Sequence, residues 1–142
     1  MKNTYLQQEE KHAQEVNNFP MFFAFSKERL GEGLEKLGLK KEDIDKITSI
    51  GAGGFIKKDD VDKYIAMMQR FEAENKKRID EDIDGTGYIF EMFFYELNNH
   101  EYNYTGELTQ TLDALGFTMQ EVNNQVNLKN GLKLAMKEAR KQ

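Results

Sequence analysis

From residue 58 onward the apolar positions recur at helical intervals. Val61, Tyr64, Ile65, Met68 and Phe71 fall on one face with charges opposite, the pattern of an amphipathic helix packed along one side. It predicts a helix from 58 to about 79. Ile89, Phe93 and Leu97 repeat the spacing, with Phe90 and Phe94 beside them, over 88–98. A helix over 105–115 stops at Gly116. Thr118 and Glu121 then have the spacing of a capping box and open a last helix carrying Val122, Val126, Leu128, Leu132 and Met136, with Gly131 as a kink or break. Before residue 58, Ser26 suits the N-cap of a helix over 27–37 closed by Gly38, and a short helix is expected over 41–47. The first 18 residues are polar and read as helical. The apolar runs over 22–25, 55–56 and 88–89 are short enough for strands.

These expectations define a mainly helical α+β fold, with about six helices and a two- or three-stranded sheet holding Phe22 to Phe25, Phe55-Ile56 and Tyr88-Ile89. A length of 142 residues with one proline and eleven glycines favours one globular domain over 19–142. A polar helical arm over 1–18 precedes it. Leu34, Leu37, Gly38 and Leu39 are echoed by Leu112, Leu115, Gly116 and Phe117. That echo fits two helix–glycine corners obeying the same capping rules, or a duplicated unit.

Charge and composition narrow the classes. With 20 basic and 25 acidic residues the net charge is −5, which disfavours a general nucleic-acid binder because phosphate contact needs concentrated Lys and Arg. The chain has no cysteine, so thiolate metal sites and Cys nucleophiles are excluded. No apolar run reaches the roughly 20 residues of a membrane span. The start lacks a signal-peptide core, so a cytoplasmic protein with no membrane association is expected.

One segment has the spacing of a chemical site. Asp80, Asp82, Asp84, Gly85 and Glu91 satisfy the D-x-[DN]-x-[DN]-G-x5-E spacing of an EF-hand calcium loop. In that register Gly87 stands where an aliphatic pairing residue belongs. Starting instead at Asp82 puts Phe93 in the closing position, where it cannot ligate. The glycine-rich stretch around Gly54 resembles a partner loop, with Ile56 and Ile89 separated by 33 positions, but it lacks carboxylates in its first half. The competing reading makes both segments strand starts and leaves Asp80, Glu81, Asp82, Asp84, Glu91 and Glu96 as an acidic surface for a partner. No cofactor is expected under that reading; Ca2+ is the alternative.

Two further constellations carry chemistry. Asn99, His100, Glu101, Tyr102 and Tyr104 form a polar and aromatic cluster after the Phe-rich helix. A His beside a Glu suggests acid–base work, yet neighbours on a helix do not face each other and no nucleophile or third member accompanies them. Lys129, Lys133 and Lys137 make a basic stripe that could read DNA or simply complement the helix dipole. Acidic residues near 80–101 and basic ones at the end also allow homo-oligomers. Catalysis is not expected.

Gly53-Gly-Phe-Ile-Lys-Lys-Asp-Asp-Val61, the run from Gly87 to Tyr102, and Thr109-Gln-Thr-Leu-Asp-Ala-Leu-Gly116 together resemble an uncharacterised family of small proteins carried by phages, plasmids and conjugative elements of Gram-positive bacteria. The resemblance covers about residues 21–122 and brings no activity with it. It implies an accessory protein that binds and modulates a host or defence-system protein, such as an anti-CRISPR or another counter-defence inhibitor. The other two readings are a divergent EF-hand-like calcium module and a DNA-binding protein using the basic last helix.

Overall fold

The computed structural model describes residues 4–141. The chain is mainly helical α+β with a three-stranded sheet. It divides into two compact units, one made of the residues up to Glu10 and from Ala73 onward, the other of Lys11–Glu72. No described helix is long and apolar enough to cross a membrane.

The Lys11–Glu72 unit holds the sheet. Strands β1 (Met21–Phe23), β2 (Ile47–Gly51) and β3 (Gly54–Lys57) lie in the order β1-β3-β2, all antiparallel. Residues 88–89, expected both to open a helix over 88–98 and to join this sheet, do only the first; the third strand is β2, whose half-polar sequence hides it. Ile56 accordingly pairs with Met21 and Thr48. Gly51, Ala52 and Gly53 turn the β2–β3 hairpin with φ of 92°, 51° and 79°, values that glycine adopts freely and alanine only at a cost.

Phe22 pairs with Phe55, and their rings stack at 5.4 Å. The Phe22 ring also lies against helix α2 (Lys27–Lys36), so close that a Cβ on Gly33 would fall 2.0 Å from it. Phe22, Ala24, Leu34, Leu37 and Ile47 form this unit's core. Ser26 caps α2 as expected, its Oγ accepting from the Arg29 N–H. A 3-10 helix occupies Lys41–Lys46. Within this unit the parts of α1 (Thr4–Asn18) and α3 (Val61–Glu81) meet through His12 stacked on Phe71 at 4.0 Å and an Arg70–Glu15 ion pair of 2.8 Å.

The other unit is built on α4 (Tyr88–Asn99) and α8 (Val126–Arg140), with α5 (Tyr102–Thr105), α6 (Thr109–Leu115) and α7 (Met119–Asn124) between them. Ile89, Phe93, Leu97, Leu128, Ala135 and Ala139 are fully buried along the α4–α8 seam and beside it. Gly131 does not kink α8: it lets the helices touch, because a Cβ there would sit 2.4 Å from Ile89 Cγ2 and 2.7 Å from the Gly85 carbonyl oxygen. The break falls at extended Gln125, which splits the expected last helix into α7 and α8. The Thr118–Glu121 capping box forms as expected. Gly38 and Gly116 both take φ of 76°, and Leu39 and Phe117 donate back to the Leu34 and Leu112 carbonyls at 2.8 and 2.9 Å. The repeated motif is therefore the same glycine cap used twice.

Candidate functional site

The acidic segment is the natural place to begin. Helix α3 ends at Glu81 and α4 begins at Tyr88, so the loop lies between two helices but does not gather its carboxylates. Asp82 Oδ2 accepts from the backbone N–H groups of Gly87 (3.1 Å) and Ile89 (2.9 Å), filling donors that the first turn of α4 leaves open. Asp80 pairs with Lys76 at 2.7 Å and Glu81 with Lys77 at 3.8 Å, one turn back along α3. Glu91 accepts from the Thr4 backbone N–H and, at 2.9 Å, from its hydroxyl. Asp84 stays exposed. Among the described residues no three His, Asp or Glu side chains gather as a metal would require.

Gly85 takes φ of 75°, and a Cβ there would meet the Asn127 carbonyl oxygen at 1.9 Å. Asn127 in turn donates to the carbonyls of Ile79 (3.1 Å) and Asp82 (3.2 Å). The loop is thus tied down by backbone contacts. The turn glycine serves close packing against α8.

The polar and aromatic cluster is dispersed. His100 Nε2 faces Glu96 at 3.4 Å, one helical turn back, rather than the adjacent Glu101. Glu101 takes left-handed φ of 57° and starts α5. The buried Tyr102 hydroxyl accepts from Arg140 at 2.8 Å, whereas Tyr104 is 90% exposed and Asn99 is also exposed. Lys129, Lys133 and Lys137 line the outer face of α8, and none of them forms an ion pair with another described residue. His12, the other histidine, is buried under Phe71.

Two features lay outside the sequence reading. The first is an uncovered aromatic patch on the sheet. Cross-strand pairing puts Phe23 opposite Gly54, on the face away from Phe22 and α2, and Phe25 follows two residues later. Phe23 is 59% and Phe25 83% exposed. Their rings lie over the hairpin glycines, where a Cβ would meet Phe25 at 2.4 Å from Gly53 and Phe23 at 3.1 Å from Gly54. In the same unit, a groove of about 730 Å³ runs beside α2 over Leu30, Leu34 and the exposed Ile44. The Phe-rich run was visible in the sequence, but its alternation was not: Phe22 enters the core, Phe19 is half-buried against Tyr64, and Phe23 and Phe25 stay out.

The second is a pair of buried tyrosines. Tyr5 and Tyr88 meet edge to face, their centroids 5.9 Å apart and their planes at 67°. Tyr5 donates to Glu96 at 2.9 Å, and Tyr88 accepts from Gln8 at 3.5 Å. Burial, then the Glu9 carboxylate, then the bond to Glu96 hold the Tyr5 phenol far above its ordinary range. Burial and Glu9 push Tyr88 up to about 12, with Arg78 opposing.

Residues 4–138 match the model of a family of unknown function (DUF7659). No curated protein and no solved structure matches the chain.

Proposed function

The chain belongs to DUF7659, a family without an assigned function, and from that premise we propose that it is a non-enzymatic binding protein whose sheet-borne aromatic patch docks on another protein. The exposure of Phe23 and Phe25 carries this reading. Burying one Phe side chain is worth about 1.5–3 kcal/mol, so two neighbouring rings left in water leave that gain for a partner. Aromatic side chains also dominate binding energy at protein interfaces. Phe23 sits on a paired strand and Phe25 two residues past it, with hairpin glycines beneath both rings, a platform that loses little entropy on association.

The acidic segment supports this role less well than the spacing of its carboxylates suggests, because Asp82, Glu91 and Glu96 bond within the protein. The same commitments weaken the calcium reading. In its finer form the proposal is an accessory protein of a phage or mobile element that acts in the bacterial cytoplasm. There it would modulate a host or defence-system protein, as an anti-CRISPR or other counter-defence inhibitor does.

The test is affinity capture from host lysate with wild type and the double variant Phe23→Ser/Phe25→Ser. One defined protein should be retained by wild type and lost from the variant, with helical content unchanged. Equal capture by both would refute the patch, and capture of nothing by wild type would refute the function.

A further inference from the structure

Within the unit built on α4 and α8, a cavity of about 160 Å³ opens between α1, α3, α4 and the end of α6. It owes nothing to the aromatic patch. Tyr5, Tyr88 and Phe117 supply aromatic wall, Met92 and Leu115 supply apolar wall, and Glu9 stands at the exposed rim. The volume is far below the roughly 300–1,000 Å³ of drug-sized sites and close to the ~150 Å³ cavity that holds one benzene. A guest therefore has only a handful of heavy atoms.

The chemistry of the walls selects the charge of that guest. Two phenol rings set at 67° form a corner, and electron-rich rings around a corner attract a cation whose hydration shell is weak. The Tyr88 ring already takes one: the Arg78 guanidinium lies 5.8 Å from its centroid, although Arg78 does not line the cavity. Glu9 and Glu96 place two carboxylates near the Tyr5 ring. Burial, the largest cause of both raised phenols, opposes charge of either sign, whereas the nearby carboxylates oppose only negative charge and favour a positive one. A compact primary ammonium would surrender too much hydration in such a place, whereas an alkylated one carries its charge on an apolar surface.

We infer that this cavity binds a small alkylated ammonium group, its methyls against Tyr5, Tyr88 and Phe117 and its charge facing Glu9. The group could belong to a free molecule or to a methylated lysine of a protein. The shared chemistry is the quaternary head.

The experiment is an NMR titration of the full chain, followed at the Met92 methyl and the tyrosine rings. The probes are choline, its neutral isostere 3,3-dimethyl-1-butanol, and a short peptide carrying trimethyl-lysine. Choline or the peptide should shift these signals saturably, and the neutral isostere should bind about tenfold more weakly, the effect of one desolvated cation–π contact. The tighter of the two cations identifies the source. Glu9→Gln, at an exposed position, should weaken the cation several-fold and leave the isostere unchanged, and thermal melting of the variant checks its fold. Two results would overturn the inference: the isostere binding as well as choline, or no saturable shift from either cation up to about 50 mM, where even the affinity of a handful of atoms is visible.

Discussion

Removing the Asp82 carboxylate is the sharpest way to separate a structural loop from a metal loop. Oδ2 accepts two backbone N–H groups at the start of α4, at 3.1 and 2.9 Å. An N-cap side chain replaced by Ala costs about 1 kcal/mol, up to about 2, and bonds to a charged acceptor are stronger than neutral ones. With two donors left open beside the buried Tyr88 and Ile89, Asp82→Ala should lose about 2 kcal/mol. At roughly 4 °C per kcal/mol for a chain of this length, the melting temperature should fall by about 8 °C. Asp82→Asn keeps a neutral acceptor and should lose about half as much. Thermal and urea denaturation, each with chelator and with millimolar calcium, make the assay. The cap account requires the same loss under both conditions. A variant within about 0.3 kcal/mol of wild type in chelator, together with a wild type that calcium stabilises, would refute it.

Gly131→Ala should destabilise by about 2–3 kcal/mol, because its Cβ would lie 2.4 Å from Ile89 and 2.7 Å from the Gly85 carbonyl oxygen; Ile89→Ala in the same chain should relieve part of that loss, read by denaturant midpoints. Tyr88 should ionise near pH 12 rather than near 10, with Tyr5 later still, as ultraviolet difference titration will report. Both phenols bind protons more tightly in the folded state than in the unfolded one. Their stabilisation is therefore complete below pH 10; the Tyr88 share is lost as pH rises through about 12 and the Tyr5 share only above that. Tyr88→Phe should flatten that alkaline loss, and unchanged alkaline stability in this variant would contradict the assignment.

What the sequence revealed follows from the range of the interactions involved. Ser26, Gly38, Gly116 and the Thr118–Glu121 pair act within a few residues, and each did what its local chemistry required. Tyr88 and Ile89 suited both a helix start and a strand, because Ile89 keeps the helical spacing of Phe93 and Leu97 while a short apolar pair after a glycine also suits a strand. The residue that decides for helix is Asp82, reaching forward to the Ile89 N–H. Strand β2 was hidden because Ile47-Thr-Ser-Ile-Gly51 is half-polar and lies between a charged 3-10 helix and a glycine cluster. The acidic spacing was legible, but its partners were not. Thr4 and Tyr5 lie more than eighty positions from Glu91 and Glu96, and only the tertiary fold joins them. The Phe23–Phe25 patch became visible once pairing with Gly54 fixed which rings face out.

Photo-crosslinking tests the central claim most directly. A benzophenone-bearing phenylalanine analogue would be placed, in separate chains, at the positions of Phe25 and Tyr104, both strongly exposed but in different units. In cells that carry the protein, the account predicts one discrete adduct with a second protein from position 25 and none from position 104. An adduct from position 104 alone, or none from either, would contradict it.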